Sequence, residues 1–140
     1  MIAYGRDDYL INEMSVNHPT VFVRKDCYEK FGDFDTAYKF AMDYDLLLRL
    51  KINNCKFVYL PLVLSNMRWE GASDKQWYKA CKEVWQIKNK YLPRRRLLNS
   101  LYFAKQVAAI KIARLLQAMH LNKIVHFYRA SLSPIKKIHG

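Results

Sequence analysis

The sequence predicts an α/β chain that is rich in helix and ends in amphipathic helices, and three observations carry this. Short runs of β-branched and aromatic residues, 20–23 and 56–60, read as strands, the second stopped by Pro61. Longer segments with apolar residues at three-and-four spacing, clearest over 41–53 and 97–120, read as helices. A content of 51% hydrophobic and 14% aromatic residues in 140, with only 4 Gly and 4 Pro, supplies a core and limits the chain to one domain or part of one.

The elements follow in order. Asp7-Asp8 reads as a solvated turn, 20–23 as a short buried strand, and 24–31 as a helix closed by Gly32. The helix over 41–53 comes next, then the strand 56–60 and a further extended stretch over 62–68. Ser73 suits the N-cap of a helix running to about Tyr91, in which Trp77, Tyr78, Cys81 and Trp85 share one side and are expected in the core. Pro93 breaks that helix. The segment 97–120 places residues 98, 101, 105, 108, 112, 115 and 119 on one stripe, apolar except for Lys105. A last helix is expected over 122–131, ahead of Pro134.

Charge divides the chain. Residues 1–83 hold 12 Lys and Arg against all 12 Asp and Glu, so the net charge of +12 sits wholly in the 57 residues that follow, which contain no acid. We therefore expect a balanced region, 1–91, and a basic helical tail, 92–140. Cys27, Cys55 and Cys81 are odd in number and widely spaced, the pattern of reduced core thiols in a cytosolic compartment. The start, Met1-Ile2-Ala3-Tyr4, lacks a basic-then-apolar export signal.

The acids of 41–53 attract most interest. By helical spacing Asp43 falls with Leu46, Leu47 and Leu50, toward the interior, whereas Asp45 falls with Arg49 at i+4 on the helix surface. A half-buried carboxylate without a partner, beside a cleft, is a candidate general base. Acids are also common in the first turn of a helix as caps, and that reading of Asp43 stands beside the first.

Motifs recur in sequence: His18-Pro19-Thr20 through Arg24, Phe31-Gly32-Asp33-Phe34-Asp35, Ala41-Met42-Asp43-Tyr44-Asp45-Leu46, Arg49-Leu50, then Asn66-Met67-Arg68, Gly71-Ala72-Ser73-Asp74 and Trp77. Together they resemble the acceptor-side, downstream half of family 2 glycosyltransferases, over roughly residues 17–91. Met42 stands where many members have Glu, and Glu70-Gly71 where many have Gly-Gly. The resemblance implies a partial GT-A fold over residues 1–91 and an inverting enzyme. Such an enzyme moves a sugar from a nucleotide-diphosphate sugar to a hydroxyl of a glycan or lipid-linked acceptor, in cell-surface polysaccharide biosynthesis.

It implies that Asp43 is the base and that His18 lines the active site, although a His before Pro at a strand entrance also serves as a hydrogen-bonded structural residue. Arg68 would meet a phosphate or acceptor sugar. Trp69 would stack on a sugar face or pack in the core. The family's upstream half, with its nucleotide-binding βαβ units and metal-binding Asp-x-Asp, has no counterpart here. The divalent metal (Mg or Mn) expected for the complete enzyme would have no ligands in this chain, which alone would be catalytically incomplete.

The tail admits two readings. An amphipathic helix preceded by Arg94-Arg95-Arg96, with Lys and Arg but no acid, suits an anionic membrane surface, which would put a cytoplasmic protein on the inner face of the plasma membrane. Alternatively the stripe packs on the domain or on another subunit, with the basic groups solvated. Lys105, Lys111 and Arg114 interrupt it too often for a membrane span. Nucleic acid ranks below both, because the aromatics follow no binding-module pattern. The alternative to an enzyme is a non-catalytic basic interaction module that uses this tail.

Overall fold

A computed structural model describes residues 7–16, 18–60, 62 and 76–119. Four α-helices are present among them: α1 (Lys25–Phe31), α2 (Met42–Ile52), α3 (Trp77–Tyr91) and α4 (Arg96–Ala118). Three-residue 3-10 turns at Asp7–Tyr9, His18–Thr20 and Pro93–Arg95 join them. The helix α3 is central, with α2 on one side and α4 on another, and α1 lies against α2.

Local chemistry explains where the helices start and stop. In α1, Asp26 occupies the first turn and Lys30 the last, complementing the helix dipole, and Lys25 pairs with Glu29 one turn on. Gly32 ends it at φ +85°, a conformation open to glycine at little cost, and donates its N–H to Tyr28. Acids begin α2 and bases, Arg49 and Lys51, finish it. Asn53 closes it, its side-chain amide donating to the Arg49 carbonyl at 2.8 Å. After Leu92 the 3-10 turn at Pro93 redirects the chain into α4.

The core is built on α2, where Tyr44, Leu46, Leu47, Leu48 and Leu50 are all buried. Its Tyr44 and Leu48, with Ala41, meet Ile87 of α3, and Met14, Tyr38, Ile52 and Val84 pack around them. The run Tyr44 to Leu48 is buried all round, and that corrects the expectation for Asp45: it does not lie on a helix surface, and its carboxyl is completely buried.

Residues 7–16 are held by side chains from three helices. Leu10 is fully buried and its carbonyl accepts the Tyr44 hydroxyl at 2.8 Å. Lys88 of α3 donates to the Asn12 carbonyl, and Tyr102 of α4 donates to Glu13 at 3.0 Å. Asp7, expected in a solvated turn, instead pairs with Lys51 of α2 at 2.6 Å.

No strand occurs among the described residues, so the described chain is helix-rich and its expected strands are corrected. Residues 18–20 form a 3-10 turn, closed by Val21 N–H to the His18 carbonyl at 2.9 Å, and 21–24 and 55–60 carry no regular structure. The runs have the residues of strands, but a strand exists only through a neighbour that takes its backbone hydrogen bonds. The aromatic side of α3 also differs from expectation. Tyr78 is exposed, and Trp77, Cys81 and Trp85 are half-buried, because this side meets α4 rather than the core. The Phe103 ring lies 6.1 Å from Tyr78 and 5.9 Å from Trp85. The three cysteines are free and half-buried, short of the core. Ser73 and the segments 63–75 and 122–131 lie outside the described residues.

Lys88 yields a pH prediction. Buried against the Tyr102 ring at 3.7 Å, its amine is pushed down to about 8, while Glu13 pulls the other way. The unfolded chain holds that proton to about 10.5. Between those values the unfolded state binds more protons, so the Lys88 contribution makes the fold more stable as pH rises. Urea unfolding of the wild type minus that of Lys88→Met should show a positive slope over this window, at most ~1.4 kcal/mol per pH unit.

Candidate functional site

The start of α2 gathers the acids of the candidate site. Ala41 stands at the N-cap and offers no side-chain oxygen. Glu83 of α3 supplies one from 42 residues away. Its carboxylate accepts the backbone N–H groups of Lys39, Phe40 and Ala41 at 3.1, 2.7 and 3.0 Å. Three consecutive amides on one carboxylate fix the approach to α2 as a cap would, with charge-assisted bonds. Asp43, half-buried in the first turn, accepts the Tyr44 N–H on Oδ1 at 2.8 Å. No basic side chain pairs with Asp43 among the described residues.

Asp45 contrasts with it. Arg49 approaches its carboxylate at 3.2 Å and Lys90 of α3 at 3.6 Å. The i+4 pairing expected from spacing is present, inside the protein rather than on its surface. Neither Asp45 oxygen has a well-aligned hydrogen bond among the described residues, so charge attraction holds the group. Arg49 reaches further, donating to the Phe31 carbonyl at 2.7 Å and the Asp33 carbonyl at 2.6 Å. A Cβ at Gly32 would stand 2.9 Å from that guanidinium, so a glycine is needed both for the turn and for the approach of Arg49.

Lys90 closes the set. Its Nζ donates to Asp35 at 3.2 Å and lies 5.5 Å from the Tyr38 ring and 4.9 Å from the Tyr91 ring. Burial works to lower its pKa, but bonds to Tyr91 and Asp35 and the charge of Asp45 outweigh it, holding the ammonium above its ordinary range. Asp35 is lowered by the Ala37 N–H and by Lys90. The stretch 31–35 and Asp45 of α2, separate motifs in the sequence, are thereby tied together by two cations.

His18 lies elsewhere on this stretch, its ring edge-on to Phe34 at 5.7 Å, with no described contact to Asp43. Arg68 and Trp69 lie outside the described residues. Among the described residues no group of three His, Cys, Asp or Glu could hold a metal ion. Between α3 and α4 an open groove of about 540 Å³ is lined by Trp85, Asn89, Lys90, Arg96 and Ser100. The sequence reading missed Glu83 and Lys90. The one signal for Glu83 is that it is the last acid of the chain, placed where the charge balance changes.

The chain matches no family model, no curated protein and no solved structure.

The two acids should separate in a stability experiment. Asp45→Asn removes the buried counter-charge of Arg49 and Lys90, which stay partly exposed while Lys90 keeps Asp35, and should cost about 1 to 3 kcal/mol in urea unfolding. Asp43→Asn retains shape and disturbs no ion pair among the described residues, and should change stability by no more than about 1 kcal/mol.

Proposed function

We propose that this chain is the acceptor-side half of an inverting family 2 glycosyltransferase of GT-A fold, with Asp43 as the general base. The reaction is transfer of a sugar from a nucleotide-diphosphate donor to a hydroxyl of a glycan or lipid-linked acceptor, in cell-surface polysaccharide assembly. The observation that carries the reading is the division of labour at α2. Arg49 and Lys90 use Asp45 to bind the 31–35 stretch, whereas Asp43 sits half-buried at the helix start without a cation among the described residues. Two of the resembling motifs, 31–35 and 41–50, thus meet in space, and the acid left for chemistry is the one that matches the family's base.

On this reading an Asp43 oxygen takes the proton of the acceptor hydroxyl as its oxygen attacks the anomeric carbon, and the bond to the diphosphate breaks from the opposite face. The Tyr44 N–H steadies Oδ1 and leaves Oδ2 toward the acceptor. A divalent metal in the complete enzyme would offset charge on the departing diphosphate. The described residues offer it no ligand set.

A second observation supports the idea of a half domain. The runs with strand character expose Phe22, Val58, Leu60 and Leu62, Phe22 by 83%. Apolar extended chain of this kind is what the edge of an interrupted sheet would present. The alternative, a non-catalytic basic interaction module, draws on the exposed face of α4 and assigns Asp43 only a first-turn role.

Calorimetry separates the two readings of completeness: the isolated chain should show no micromolar binding of a nucleotide-diphosphate sugar with Mg or Mn, and such binding would end the half-domain reading. Once the chain is joined to an upstream nucleotide-binding half, Asp43→Asn should lower turnover by ~10² to 10⁴ with acceptor affinity retained. Near-normal turnover would return Asp43 to a capping role.

A further inference from the structure

The helix α4 has two apolar faces, and the described residues cover only one. Phe103 and Tyr102 meet α3, as does Gln106, 3.9 Å from the Cys81 Sγ. On the other side Leu97, Leu98, Leu101, Ile112, Leu115 and Met119 are between 57% and 83% exposed. All but Leu97 belong to the stripe read from the sequence, and nothing among the described residues packs on that stripe. It extends along a helix of 23 residues, or roughly 34 Å. Exposed apolar side chains in one continuous row on this scale mark a contact surface rather than scattered surface leucines.

The charges around the row identify the contact. Arg94, Arg95 and Arg96 stand at its start, Lys105 within it and Lys111 beside it, and no acid occurs after Glu83. A second copy of this chain would bring Lys105 against its own counterpart in a molecule that already carries +12. The residues beyond 119 add Lys123, Arg129, Lys136 and Lys137, which repeat the same sign. A nucleic acid would satisfy the cations and leave the leucines in water. An anionic bilayer satisfies both, with headgroups for the cations and the acyl boundary for the leucines. Among the described residues no helix is long and apolar enough to cross a membrane, so the fitting geometry is a helix lying along the surface.

We infer that the outer face of α4 docks this protein onto an anionic lipid surface, with Leu98, Leu101, Ile112 and Leu115 inserted at the acyl boundary. The inference does not depend on the enzymatic reading, and its test uses no activity. The full chain is sedimented with phosphatidylcholine vesicles with and without added phosphatidylglycerol, at rising salt. Binding should require the anionic lipid, weaken as salt passes about 0.1 M, and persist in part because apolar insertion is not screened. Ile112→Glu with Leu115→Glu should weaken binding at least about tenfold, since a carboxylate opposes both insertion and the surface potential. The circular dichroism spectrum should be unchanged. Ala108→Glu, which places a charge mid-row and removes no large side chain, should act in the same direction. Equal binding to neutral vesicles, or no binding to either, overturns the proposal. So does a dimer in sedimentation velocity that Ala108→Glu dissolves, or tighter binding of a single-stranded oligonucleotide at equal salt.

Discussion

The fold depends on a carboxylate that water cannot reach. Asp45 is fully buried between Arg49 of its own helix and Lys90 of α3, and those cations carry the connection outward to the Phe31 and Asp33 carbonyls and to Asp35. Asp45 alone is fully withdrawn from water, Arg49 and Lys90 staying 17% and 44% exposed, and attraction recovers the cost of its burial only while the cations remain beside it. The arrangement therefore specifies more than it stabilises. It sets the register of α2 against α3 and docks the 31–35 stretch to both, which leucines alone would permit in several ways. Glu83 performs a related task one turn nearer the start of α2, where three backbone amides converge on one carboxylate.

This division explains why two acids two residues apart have unlike surroundings. Asp45 is consumed by structure. Asp43 emerges at the helix start, where the core ends and where its only described bond is to the next amide. In the proposed enzyme the first acid builds the platform and the second uses it.

How far the sequence could be read follows from the range of the interactions involved. Helix periodicity, the stop at Gly32, the break at Pro93 and the Asp45–Arg49 pair are local, and each was legible from spacing. The α4 stripe was legible too, but its orientation was not, because α4 is apolar on two sides and only the packing of Phe103 against α3 shows which one is spent. The inward face of α2 was misassigned for the same reason: Leu46, Leu47 and Leu48 are consecutive, so periodicity could not distinguish inside from outside. The runs 20–23 and 56–60 have strand composition, but composition is silent on whether a partner is there to pair. Glu83 and Lys90 act across more than 40 residues, beyond any spacing rule.

The clasp on residues 7–16 has a consequence in time. Two of its fasteners lie late in the chain: Lys88 is 76 residues from Asn12, and Tyr102 is 89 from Glu13. At about 5 to 20 residues per second, roughly 5 to 20 seconds separate the synthesis of Glu13 from that of Tyr102. Throughout that interval Leu10, which ends fully buried, has no finished site to enter. Until α3 and α4 have been made, the segment is held only by Tyr44 and Lys51 of α2, and a product ending before residue 88 lacks every α3 and α4 fastener.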